Sequence, residues 1–122
     1  IMKKFILFIL LIISINIQSQ VRLNYTLISI QKEFKQYPQK IENNVLKIYD
    51  NDVIISYYFK NKLCNKVILS TKSTFVANVI INMYNKDYDK IGNDEWKMNS
   101  SELGYATIYL KYSNNYYNFI WK

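Results

Sequence analysis

Carboxylates come first, because acid–base chemistry and divalent-cation binding both start from them. Asp94 and Glu95 stand side by side ahead of Trp96, and two carboxyl groups can divide acid and base roles as in glycoside hydrolysis. Adjacent strand residues point to opposite faces, however, so the pair reads as a turn aspartate followed by a solvent-facing glutamate. Asp50 with Asp52, and Asp87 with Asp89, have the i, i+2 spacing of calcium ligands. An EF-hand loop also requires a glycine at its sixth position and a glutamate at its twelfth, and neither is present.

Nucleophilic and cofactor chemistry is limited by what the chain lacks. It contains no His, which removes Ser-His-Asp and Cys-His systems and imidazole ligands for zinc or iron. Gly92 and Gly104 are the only glycines, too few for a phosphate loop or a dinucleotide fingerprint. The expectation is therefore a protein with no cofactor, no metal and no catalytic site. Cys64 is the single cysteine. It has no internal disulfide partner and lies in an apolar strand pattern, so a packed thiol is expected.

The formal charge of +7 invites a nucleic-acid reading, yet only Arg22 among the 16 basic residues is arginine. Phosphate and guanine are best read by the planar guanidinium fork. Lys, Ile, Asn and Tyr share A/T-rich codons, which accounts for their abundance together without selection for binding. The lysines are also scattered, so no nucleic-acid partner is expected. Asn24-Tyr25-Thr26 and Asn99-Ser100-Ser101 match the glycosylation sequon, which matters only in a eukaryotic secretory host.

The elements that must carry these residues start with an export signal. Lys3-Lys4 precede the apolar run Phe5 to Ile13, and small Ser19 follows. That is the layout of a secretory signal peptide over residues 1–19 with cleavage near Ser19/Gln20. It implies a periplasmic or secreted protein, not a lipoprotein, with no stable membrane span after cleavage. Without Lys3 and Lys4, 14 basic residues face 9 acidic ones, a net +5 for residues 20–122. These residues suffice for one domain without disulfides.

Tyr25 to Tyr37 has weak helical periodicity, with Thr26 as N-cap and Pro38 as the stop. Val45 to Tyr49 is a short β-prone run ended by Asp50-Asn51-Asp52. Val53 to Phe59 and Leu63 to Ser70 flank Lys60-Asn61-Lys62 as a hairpin. Ser73 caps a second helix over Thr74 to about Lys86, where Val76, Val79, Ile80, Met83 and Tyr84 form one stripe. Tyr88 to Ile91, Glu95 to Met98, Tyr105 to Tyr112 and Tyr116 to Lys122 read as further strands. The expected fold class is α+β: two layers, an antiparallel sheet with two helices on one face, in the order α-β-β-β-α-β-β-β with a possible fourth strand in the second half. The two halves echo each other without convincing sequence identity.

The segments "YYFKNKLCNKVIL", "YDKIGNDEWKM" and "YYNFIWK" behind a lysine signal peptide resemble those of small exported α+β proteins of Bacteroidetes type. That resemblance implies export and the fold, and assigns no activity. The helix-then-hairpin rhythm is also similar, in architecture only, to the outer-membrane assembly lipoprotein BamE and to beta-lactamase inhibitory proteins.

Aromatic residues make up 16% of the chain, more than a two-layer domain of this size can bury. Several tyrosines are thus expected on the open sheet face, a composition suited to interaction sites. Tyr116 to Lys122 is expected as an edge strand. Its Tyr117, Phe119 and Trp121 should pack under the helices, while Tyr116, Asn118, Ile120 and Lys122 look outward beside Tyr109 and Lys111. Tyr109, Lys111, Tyr116 and Asn118 form the expected partner surface. The functional expectation is an exported, non-catalytic protein-binding or inhibitor-like module whose partner is another envelope or extracellular protein. The alternative is a small cell-envelope hydrolase relying on carboxylates.

Overall fold

The turns explain how a chain with two glycines builds so many hairpins. Asn43-Asn44, Asn61-Lys62 and Asn114-Asn115 each place both central residues at positive φ. This is the type I′ geometry that matches strand twist, and asparagine tolerates it because its short side chain bonds locally. Between these turns the computed structural model, which describes residues 22–100 and 104–122, forms two helices and eight strands. The signal-peptide expectation for residues 1–19 lies outside the described residues.

Helix α1 spans Leu27–Glu33 and is followed by β1 (Gln39–Glu42), β2 (Val45–Asp50), β3 (Val53–Lys60) and β4 (Leu63–Thr71). Helix α2 spans Thr74–Asp87 and is followed by β5 (Asp89–Gly92), β6 (Glu95–Ser100), β7 (Gly104–Ser113) and β8 (Tyr116–Trp121). All pairings are antiparallel, and the strand order is β1-β2-β3-β4-β8-β7-β6-β5. The fold is α+β, with both helices on one side of the sheet.

Three expectations change. Each half has four strands, because Gln39–Glu42, given no element from sequence, pairs with β2 through the Asn43-Asn44 turn. The first helix ends at Glu33 and not at Tyr37, since Pro38 forces extended backbone on its predecessor and the chain already turns after Phe34. Strand β8 is not an edge: it sits between β4 and β7 at the middle of the sheet. Being last in sequence says nothing about place in a sheet whose two halves meet at their final strands.

The two halves also share more than rhythm. At an offset of 50 residues, Lys40, Ile41, Asn43 and Lys47 recur as Lys90, Ile91, Asn93 and Lys97, although the β5–β6 pairing shifts register between Lys90 and Gly92 and its turn has only Asp94 at positive φ.

The core lies between helices and sheet. Thr26 Oγ1 accepts from the Ser29 amide, and Ser73 Oγ accepts from the Val76 amide at 3.2 Å, so both helices start at the predicted caps. Ile30 of α1 and Phe34 at its C-cap are buried, with the Phe34 ring 6.2 Å from Tyr57 of β3. From α2, Val76, Ala77, Ile80 and Tyr84 are buried. Tyr84 meets Trp96, Phe119 and Trp121 edge-on at 5.5, 5.5 and 5.7 Å, the arrangement aromatic quadrupoles favour. Its hydroxyl accepts the Trp121 indole N–H at 3.0 Å, and the Trp96 indole donates to Asn85 Oδ1 at 2.8 Å.

Candidate functional site

Strand alternation sorts the sheet into two faces. Phe119 and Trp121 face the helices and are buried, and Tyr117 is half-buried against the same core. The opposite face bears Tyr49, Ile54, Tyr58, Ile68, Tyr109, Tyr116 and Ile120, all half-buried. At its centre Ile68 of β4 lies opposite Ile120 of β8, and Ile120 in turn lies opposite Tyr109 of β7.

All four residues of the expected partner surface share this open face. Tyr109 and Lys111 come from β7, Tyr116 and Asn118 from β8, and Lys111 pairs with Asn118 in register. Their roles differ. Asn118 Oδ1 accepts from Ser70 Oγ at 2.7 Å, and its amide donates to the Lys111 carbonyl at 3.2 Å and to Ser113 Oγ at 3.3 Å. Its polar atoms are thereby committed to tying β4, β8 and β7 together, which makes it a structural strap. Tyr116 and Tyr109 carry lysines over their rings: Lys72 Nζ at 5.0 Å from the first and Lys122 Nζ at 5.5 Å from the second.

Sequence reasoning missed the contribution of the first half. Tyr58 on β3 has Lys66 Nζ 4.2 Å from its ring centroid. An open depression of about 550 Å³ next to them is lined by Tyr58, Phe59, Lys60, Asn65, Lys66 and Lys122. It forms where the β3–β4 register shifts after Tyr58, leaving Asn65 as an extra residue between Cys64 and Lys66. The period-two pattern of Ile54, Ser56 and Tyr58 was available as a signal. Which half-sheet they would join was not.

The carboxylates do not converge. Asp94 occupies the β5–β6 turn at φ 60°, and Glu95 projects to the open face opposite Tyr109. Partial burial and the neighbouring Asp52 charge raise the Asp50 pKa. Among the described residues no three His, Cys, Asp or Glu side chains group as cation ligands. Burial pushes the Cys64 thiol up to about 11, and Sγ donates to the Lys66 carbonyl at 3.6 Å. Arg22, the single arginine, is buried, pairs with Glu33 and lies 5.0 Å from the Phe34 ring centroid.

No family model, curated protein or solved structure matches the chain. Among the described residues no helix is long and apolar enough to cross a membrane.

Proposed function

We propose that the protein is an exported, non-catalytic binding module that holds another envelope or extracellular protein on its open sheet face. One observation carries this reading: helices cover the eight-stranded sheet on one side only, and the other side presents half-buried tyrosines and isoleucines across adjacent strands. Such a surface supplies the apolar centre of a protein interface, with lysines as its polar rim. Export is supported by Lys3-Lys4, the apolar run to Ile13 and Ser19.

The test compares partner capture by the wild type with Tyr109→Ala and Tyr116→Ala. Both variants should keep the wild-type melting temperature and lose capture, since truncating an interface hot spot commonly costs about 2 kcal/mol or more. Unchanged capture by both would refute the face assignment. Intact-mass measurement after expression in a secreting host checks export, and an unprocessed chain would refute it.

A further inference from the structure

We propose that the open face docks an acidic protein surface, whose carboxylates pair with lysines that the sheet's own tyrosines hold in place. This rests on the binding-module reading above and names the chemistry of the partner. The five central strands, β2, β3, β4, β8 and β7, direct Lys47, Lys66, Lys111 and Lys122 to the open face and place no carboxylate of their own there, although Glu42 of β1 lies near Lys47. Among the described residues the carboxylates on that face are Glu42, Asp89 and Glu95, all on the outer strands. The centre of the face is therefore cationic and its flanks are mixed.

Two features prepare these lysines for an anion. Lys66, Lys122 and Lys72 each lie over a tyrosine ring, at 4.2, 5.5 and 5.0 Å from its centroid. An ammonium held this way has already given up rotamer freedom, so pairing with a partner's carboxylate loses less entropy. Val67 pairs with Trp121, which puts Lys66 across from Lys122 one position further on, and both line the same depression. Like charges opposite each other across strands repel, and a carboxylate seated there relieves the repulsion.

The same observations favour a protein over a nucleic acid. A ring face occupied by an ammonium is not available to stack a base. Ile68 and Ile120 interrupt the lysines with an apolar centre, where a phosphate track needs continuous charge. Arg22 is buried away from solvent.

The full chain, isotopically labelled, is titrated with four probes: a short peptide alternating Glu and Phe, its Gln counterpart, an oligothymidylate and phosphatidylglycerol vesicles. The Glu peptide should shift resonances of β3, β4 and β8. Replacing Lys66→Gln and Lys122→Gln together should weaken it at least about tenfold, and added salt should weaken it further. The inference is overturned if the Glu peptide fails to bind at millimolar concentration, if the Gln peptide binds equally well, or if oligothymidylate or vesicles bind more tightly. If natural-partner capture needs Tyr109 and Tyr116 but ignores both lysines and salt, only the acidic-partner inference falls. If capture ignores the tyrosines as well, the face assignment falls with it.

Discussion

Cys64 shows how much one side chain can be understood from its surroundings. Its amide donates to the Tyr25 carbonyl at 2.8 Å, and its carbonyl accepts from the Asn24 amide at 2.6 Å, stitching the segment ahead of α1 to the sheet. With the thiol fully buried and its pKa near 11, almost no thiolate exists at neutral pH. A thiol reagent should therefore label native protein slowly and denatured protein rapidly, and Cys64→Ala should cost about 1 kcal/mol. Fast native labelling would contradict the packing. Its burial was expected from the apolar run around it, but strict alternation from Val67 and Leu69 would turn it outward, and the extra residue Asn65 is what returns it to the core. The strap role of Asn118 was not legible, because its partners Ser70 and Lys111 come from strands distant in sequence.

Hairpins and the α2 aromatic cluster govern the element scale. Lys62 sits at φ 68° in the β3–β4 turn, a region unfavourable to any residue with a Cβ. Lys62→Gly should raise stability by about 1 kcal/mol, read as a higher denaturant midpoint with unchanged slope. A lower midpoint would mean that the turn is not of this type. Trp121 is fully buried beneath α2, so Trp121→Ala should destabilise by about 3–5 kcal/mol. Tyr84→Phe isolates the hydrogen bond, because it leaves the Trp121 indole N–H without this acceptor at a cost of about 1–3 kcal/mol. A harmless Trp121→Ala would reverse the two faces of β8. Helix α2 was visible almost to the residue, through its serine cap and stripe. Strand β1 was invisible because its four residues, Gln39–Glu42, carry no alternation and depend on β2 to form.

At the scale of the whole molecule, two buried phenols set the alkaline limit of stability. Desolvation raises the pKa of both Tyr57 and Tyr84 above the ordinary phenol value. The folded state thus retains protons that the unfolded chain releases. Stability from this source is fully present below the unfolded pKa of about 10 and declines above it, at about 1.4 kcal/mol per pH unit for each tyrosine. Denaturant titrations from neutral pH upward should show this fall, and above about pH 11, where the Cys64 thiol has also ionised and adds no further slope, Tyr57→Phe should roughly halve it. Because Tyr57 Oη has no hydrogen-bond partner among the described residues, the same variant should be nearly neutral at pH 7. A flat profile through the alkaline range would refute the burial of both hydroxyls.

Local order was written into the chain: asparagine-centred turns, two capped helices, and alternation that assigns Phe119 and Trp121 to the core and Tyr109 and Tyr116 to the other face. These depend on residues a few positions apart, whose conformational preferences act before any long-range contact forms. The tertiary structure alone decided that β8 lies inside the sheet, that β4 and β8 join the halves at Ile68 and Ile120, and that Lys66 and Lys122 share one depression. Strand order follows from pairing energies summed over the whole sheet, and no single strand carries that sum in its own residues.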